Sequence, residues 1–395
     1  MNNKTYELLH SVEDRSGYGE VTTPQFLSDE MTSNISKDMY ISSTSTFLFP
    51  CFGNGTDIIT VIKILRSYGH SMENIESRVS GYEISVRLFN KVQKLLSHYN
   101  FSKLYNRDFL NTESDMKYDV VIGNPPYNAA GSATGNIIWD KFTIKSISLL
   151  KEGGYLAFIH PTLWRKPQSD SSKTKKVSDL MRSKQIHYLN MNSSTDGIKV
   201  FGAGTRFDYY VLENTLPYTT TTLVDEDSKK IELDITTLPF IPNSNIEEIS
   251  KLLANEVEEK CPIVYDGNSY DLRKRWMSKE KTVEFKYPVV NTIPKTGVRL
   301  GHSSRNDKGL FGISKVIFSD NGFNDVIIDM EGEYATTQNS LSIAVESIQE
   351  AEGIKKALLS EEFKNLTKSI TWSNFRVDWR LFTYFKKDFW REYSN

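Results

Sequence analysis

Between Thr46 and about Pro161, short apolar runs alternate with stretches in which apolar residues recur every three or four positions. The compact runs, Thr46–Pro50, Arg78–Glu83, Leu104–Arg107, Tyr118–Gly123 and Gly154–His160, predict strands. The periodic stretches predict helices. Asp57–Tyr68 aligns Ile58, Val61, Ile62 and Leu65; Ile84–His98 aligns Val86, Phe89, Val92 and Leu96; Ile138–Leu150 aligns Ile138, Phe142 and Leu149. Alternation at these lengths implies βαβ units and a parallel sheet covered on both faces. Such a sheet binds ligands beyond the carboxyl ends of its strands, where strand order reverses.

The alternation stops after about Glu213. Pro217, the run Thr219–Thr222 and the acidic Asp225–Asp227 read as a linker or an exposed hairpin. The remainder mixes strand-like runs, Val316–Ser319 and Val326–Asp329, with a helical stretch over Leu341–Leu359. It predicts a second, α+β domain, so that the chain divides into residues 1–215 and 216–395. Near the end, Trp372, Phe375, Trp379, Phe382, Phe385, Phe389 and Trp390 recur at roughly helical spacing and predict core packing.

Composition narrows the class without naming a function. With 395 residues, 38% hydrophobic and 25% charged, the chain can bury two ordinary cores. No stretch approaches the ~18 apolar residues of a membrane span, and residues 1–20 lack a signal-peptide core, so a cytoplasmic protein with no membrane partner is expected. Cys51 and Cys261 are the two cysteines, and the six histidines are scattered, which predicts neither a disulfide framework nor a metal site. The net charge of -2 is segregated: nine basic residues from Arg165 to Arg206 face three acids, and eleven basic residues occur from Arg273 to Lys315. The segment between is acidic. Such stretches can present a basic face to phosphates, the competing reading being solvated surface.

The sharpest chemical feature is Asp119-Val120-Val121-Ile122-Gly123-Asn124-Pro125-Pro126-Tyr127, an apolar strand running into a rigid turn. Pro125 and Pro126 fix the backbone, so the Asn124 side-chain oxygen and the Pro125 carbonyl can accept both hydrogens of one amino group. Tyr127 can lie flat on a planar ring. Upstream, Phe49-Pro50-Cys51-Phe52-Gly53-Asn54-Gly55-Thr56 joins the first strand to the first helix, and its glycines allow close backbone approach to a ligand. Glu83 ends the second strand, where a carboxylate can accept from ribose hydroxyls, and Asp108 follows the third, where it can accept from an adenine amino group.

With these motifs in this order, the chain resembles the adenine-specific DNA methyltransferases of the γ arrangement, many of which accompany restriction enzymes. Thr22-Thr23-Pro24-Gln25-Phe26 resembles the cofactor motif that precedes the glycine turn in that family. The resemblance implies an α/β fold: a Rossmann-like S-adenosylmethionine-dependent methyltransferase domain followed by an α+β target-recognition domain. It implies S-adenosylmethionine as cofactor, touched by Thr23, Pro24, Pro50, Phe52, Gly53, Gly55, Glu83, Ile84, Asp108 and Phe109. Asn124, Pro125, Pro126 and Tyr127 become the catalytic turn. Phe201, in Val200-Phe201-Gly202-Ala203-Gly204-Thr205, becomes the aromatic that packs against a flipped base.

Double-stranded DNA is the implied partner, with a companion restriction endonuclease also allowed by the resemblance. Lys295, Arg299 and Arg305 are candidate DNA contacts, because glycines alternate there with basic and hydroxyl side chains. Phe49 departs from the family pattern, which places an acid before the proline of the glycine turn. Similar Asn-Pro-Pro-Tyr sites act on RNA adenine and on protein glutamine, so those substrates are the alternatives; two basic stretches and a large second domain favour DNA.

Overall fold

The computed structural model describes residues 22–129, 136–372 and 376–393. The N-terminal segment read above and Phe375 lie outside them. Contacts group the chain into two compact units that meet at Leu238 and Pro239.

The first unit opens with helices α1 (Gln25–Ser33) and α2 (Lys37–Ile41). There follow β1 (Phe47–Phe49), α3 (Thr56–Ser67), α4 (Met72–Arg78), β2 (Val79–Tyr82), α5 (Val86–Leu95), β3 (Leu104–Tyr105) and β4 (Tyr118–Gly123). Then come α6 (Trp139–Ser148), β5 (Leu150–Pro161), α7 (Lys175–Arg182), β6 (Gln185–Asn192), α8 (Ser194–Phe201) and β7 (Phe207–Glu213). All three residues of β1 and four of the six in β4 are apolar and fully buried, as central strands covered on both faces require. Helix starts follow local rules. The Ser85 side chain caps α5, and Ser193 and Asp196 form a reciprocal capping box on α8.

The nine strands of this sheet run in the order β3-β2-β1-β4-β5-β7-β6-β8-β9, where β8 is Thr221–Val224 and β9 Lys230–Leu233. Strands β1 to β5 are mutually parallel, but β7 runs antiparallel between β5 and β6. The parallel sheet expected over Thr46–Pro161 is present in β1 to β5, and beyond that span β7 adds an antiparallel strand. The stretch after Glu213 is a hairpin, β8 and β9, which extends the same sheet. One face packs Leu27 and Met31 of α1 and Ile58, Val61 and Leu65 of α3 against Phe47, Phe49, Val120 and Ile122.

The second unit contains α9 (Ile246–Leu252) and two four-stranded sheets. One orders β10 (Ile263–Val264), β17 (Ser340–Ala344), β14 (Lys315–Ser319) and β15 (Ile327–Asp329). The other orders β11 (Met277–Ser278), β13 (Arg299–Ser303), β12 (Tyr287–Thr292) and β16 (Ala335–Thr336). Helices α10 (Ile348–Leu359) and α11 (Glu361–Lys368) follow. The helix expected over Leu341–Leu359 begins only at Ile348, because Leu341–Ala344 pair with β14 as a buried strand. Phe382, Phe385 and Phe389 enter the core through two short 3₁₀ turns.

Candidate active site at the carboxyl edge of the first sheet

Strands β1 and β4 are parallel neighbours, and strand order reverses between them. Two turns therefore leave the sheet side by side at its carboxyl edge: the glycine turn after β1 and the Asn124–Tyr127 turn after β4. Their closeness is visible at Gly123. A Cβ added there would lie 3.4 Å from Cys51 Sγ and 3.6 Å from Pro50 Cδ.

In the glycine turn, Gly53 and Gly55 have φ of 54° and 86°, left-handed values that favour glycine. Gly55 caps α3 and donates to the Phe52 carbonyl at 2.8 Å. A Cβ on Gly53 would meet nothing within 4 Å, so the outer side of this turn is open to backbone contact with a ligand. Glu83 is buried beside it and accepts from Gly53 N at 2.8 Å and from Ser85 N at 2.8 Å. Ile84, the next residue, is exposed.

Asp108 accepts from Leu110 N at 2.9 Å and Asn111 Nδ2 at 2.6 Å, which shapes its own loop. Phe109 is buried, with the rings of Tyr82 and Phe142 each 5.6 Å away. Thr23 is buried, and Pro24 is the cap of α1, which is tied to α3 by Ser28 and Gln25 bonding to Thr60. Phe49 lies in the core, so the acid usual before the proline is absent from the sheet edge. A buried carboxylate that sequence reasoning missed, Asp57, opens α3. Burial pushes it up to about 6, and both Asp57 and Glu83 act on the Cys51 thiol electrostatically. Burial holds that thiol well above its ordinary value, which suits packing and not nucleophilic attack.

Pro125 is buried, and Asn124, Pro126 and Tyr127 are half-buried. Ile138 N donates to the Tyr127 carbonyl at 3.2 Å, and Asn128 bridges Ile137, so the turn is tied back to the start of α6. Asn124 Nδ2 and the Tyr127 hydroxyl are buried polar atoms with no protein partner among the described residues. Burial raises the Tyr127 phenol, with the Asp208 charge acting in the same direction.

Beyond this turn lies a buried cluster absent from the sequence reading. Asp208 bonds Arg165 Nε at 2.8 Å and Trp164 Nε1 at 2.9 Å. His160 stacks on Trp139 with centroids 4.3 Å apart, and its Nε2 lies 3.1 Å from the Tyr210 hydroxyl. The available signal was a lone acid in the apolar strand Phe207-Asp208-Tyr209-Tyr210-Val211. Arg165 therefore belongs to the interior and not to a basic surface, and Arg206 pairs with Glu226 at 2.8 Å. The first basic stretch is partly spent inside the fold.

Phe201 ends α8 and packs edge-on against Phe207 at 4.8 Å. In the second unit, Lys295 is exposed in the β12–β13 turn, where Gly297 has φ of 103°, and Arg299 is exposed at the start of β13. Arg305 is paired with Asp307 and lies 5.4 Å over the Trp276 ring. Lys315, counted in the second basic stretch, is fully buried and bonds Asp329 at 2.6 Å.

A parallel sheet ordered 3-2-1-4-5-7-6 with an antiparallel seventh strand, a glycine turn after β1 and a polar turn after β4, defines the class I methyltransferase fold, here with an additional domain. Residues 64–196 match the sequence model of the Eco57I restriction-modification methylase family, so the resemblance read from the motifs is to restriction-modification methyltransferases. No curated protein matches. Among solved structures, the type IIL restriction-modification enzyme MmeI in complex with DNA matches with a TM-score of 0.53 at 11% identity, over 96% of this chain and 70% of that one. A DrdV–DNA complex matches with a TM-score of 0.51 at 11% identity, over 82% of this chain and 49% of that one. A modification subunit of a putative type I restriction enzyme from Vibrio vulnificus YJ016 has a TM-score of 0.43 at 16% identity, over 56% of this chain and 50% of that one. The chain thus spans about half the length of that subunit.

Proposed function

We propose that this chain is a DNA methyltransferase that transfers a methyl group from S-adenosylmethionine to the N6 amino group of an adenine flipped out of the duplex. The observation that carries the reading is the placement of the Asn124–Tyr127 turn beside the glycine turn at the strand-order reversal. The residues fit the cofactor: an open left-handed turn at Gly53, a helix N-terminus behind it and a buried carboxylate, Glu83, that braces the turn. Thr23, Pro24, Pro50, Phe52, Gly55, Ile84, Asp108 and Phe109 surround that turn in this reading. The bound cofactor supplies an electrophilic sulfonium methyl.

The protein's part is alignment. An adenine inside a duplex cannot reach this edge, so the nucleotide rotates out at a cost of a few kcal/mol. Stacking on Tyr127 offsets part of that cost. The Asn124 amide oxygen and the Pro125 carbonyl accept the two amino hydrogens and draw them out of the ring plane, which frees the nitrogen lone pair for in-line attack. Phe201 contributes to the far wall of the base site, and Lys295, Arg299 and Arg305 contact DNA from the second unit.

Base-resolution mapping of modified bases in host DNA after expression tests this directly. N6-methyladenine at one recurrent sequence, lost in Asn124→Ala, is the expected result. Unmodified DNA, with label instead in RNA or protein, would overturn it.

A further inference from the structure

The buried ion pair behind the Asn124–Tyr127 turn has no part in the chemistry above. The side chains of Arg165 and Asp208 are both completely shielded from solvent. Moving such charges out of water is costly, and apolar residues of similar volume often serve packing as well or better. Oxygen Oδ2 of Asp208 takes the bonds from Arg165 and Trp164. Its second oxygen, Oδ1, is buried without a protein partner among the described residues, and so is the Tyr127 hydroxyl.

Strand register accounts for their neighbourhood. Gly123 of β4 pairs with Phe158 of β5, and two residues further along β5 His160 pairs with Asp208 of β7. Asp208 thus stands at the height of the turn that follows Gly123, and its charge is felt at the Tyr127 phenol. A buried donor and a buried acceptor each weaken the fold when left unmet. The two atoms do not bond each other directly; one water between them would satisfy both.

We propose that Asp208 is a positioning residue: through one water bridging Oδ1 and the Tyr127 hydroxyl it sets the plane of the Tyr127 ring, while Arg165 and Trp164 hold the carboxylate. The inference rests on reading the Asn124–Tyr127 turn as the site that holds the target base. A stacked base inherits the orientation of the ring beneath it, and misorientation lowers the rate of transfer more than the affinity for DNA.

The test uses the full chain and the duplex that modification mapping identifies. Tyr127→Phe keeps the stacking ring and removes only the hydroxyl. We expect kcat to fall on the order of tenfold with KM for DNA nearly unchanged, and Asp208→Asn added to Tyr127→Phe to lower kcat no further. Parental kcat in Tyr127→Phe, or losses that multiply in the double variant, would overturn the proposal. If Asp208→Asn does not fold, the kcat and KM of Tyr127→Phe decide alone. A parent that transfers no methyl group to DNA overturns the functional reading instead. The pairing is then decided in the DNA-free protein by ¹³Cζ-tyrosine NMR, with the Tyr127 signal assigned by its loss in Tyr127→Phe. That signal shifts in Asp208→Asn, or in Arg165→Lys where the former does not fold; an unmoved signal refutes the pairing.

Discussion

Glu83 Oε2 accepts the backbone N–H of Gly53 at 2.8 Å, so the carboxylate that ends the second strand braces the turn that leaves the first. Its other oxygen holds Ser85 N, the cap of α5. One side chain thereby ties together the glycine turn and a helix start. Glu83→Ala is expected to lower stability by about 1.5–3 kcal/mol, because a half-buried and a buried backbone donor lose a charged acceptor. S-adenosylmethionine affinity should fall as well, with Glu83→Gln intermediate. Urea denaturation and calorimetry check this, and unchanged values for both in Glu83→Ala would remove Glu83 from the turn's support.

Asn124→Ala should abolish methyl transfer while leaving S-adenosylmethionine binding close to parental. Asn124 directly follows β4, whereas the Gly53–Glu83 contact joins the turns after β1 and β2. Calorimetry paired with a radiolabel transfer assay separates the two effects. Substantial transfer by the variant contradicts the amino-group role.

Lys295 and Arg299 are exposed, with Lys295 in the β12–β13 turn and Arg299 at the start of β13, whereas Arg305 is already paired with Asp307. Lys295→Ala and Arg299→Ala are therefore expected to weaken DNA binding more than Arg305→Ala. Loss of a phosphate contact lowers the salt slope by roughly one unit, while loss of a bidentate base contact costs about 1–3 kcal/mol and relaxes the target sequence. A salt series of DNA affinities would show parental slopes and affinities in all three variants if this hairpin does not touch DNA.

His160 is buried against Trp139, and burial lowers its imidazole to about 3. The unfolded chain takes up that proton near 6.5, so it binds more protons than the folded chain between about pH 6.5 and 3. Stability is thus lost as pH falls through that window, by up to about 1.4 kcal/mol per pH unit from this group. Asp57 and Asp320, each raised to about 6, oppose the trend, since folding favours their protonation. His160→Gln should flatten the acid limb of a stability–pH curve relative to the parent. An identical limb would mean that His160 does not stay neutral when buried.

The parts of this edge legible in sequence were those whose chemistry requires particular residue types in succession. Gly53 and Gly55 must take left-handed φ, Pro125 must stiffen a turn, and the centre of β4, Val120–Ile122, must be apolar, so each leaves a local mark. Asp208 left almost none. Its role depends on β7 running antiparallel between β5 and β6, and no local pattern announces that insertion. Arg165 likewise reads as surface charge until Asp208 is placed beside it. Leu341–Ala344 was merged with the following helix because a short apolar run has no distinguishing period; pairing with β14 decides it.

Thr46 donates to the Asp119 carboxylate through both its backbone N–H and its hydroxyl at 2.8 Å, across 73 residues of chain. This clasp lies beside the pairing of β1 with β4, the two strands from which the glycine turn and the polar turn emerge. On a ribosome, the first turn therefore leaves the tunnel long before its counterpart exists. Closing so long a loop is entropically slow, and local helices such as α3 and α5 can form while it is pending. The glycine turn and the Asn124–Tyr127 turn are therefore expected to come together only once β1 and β4 pair, late in the emergence of this sheet edge.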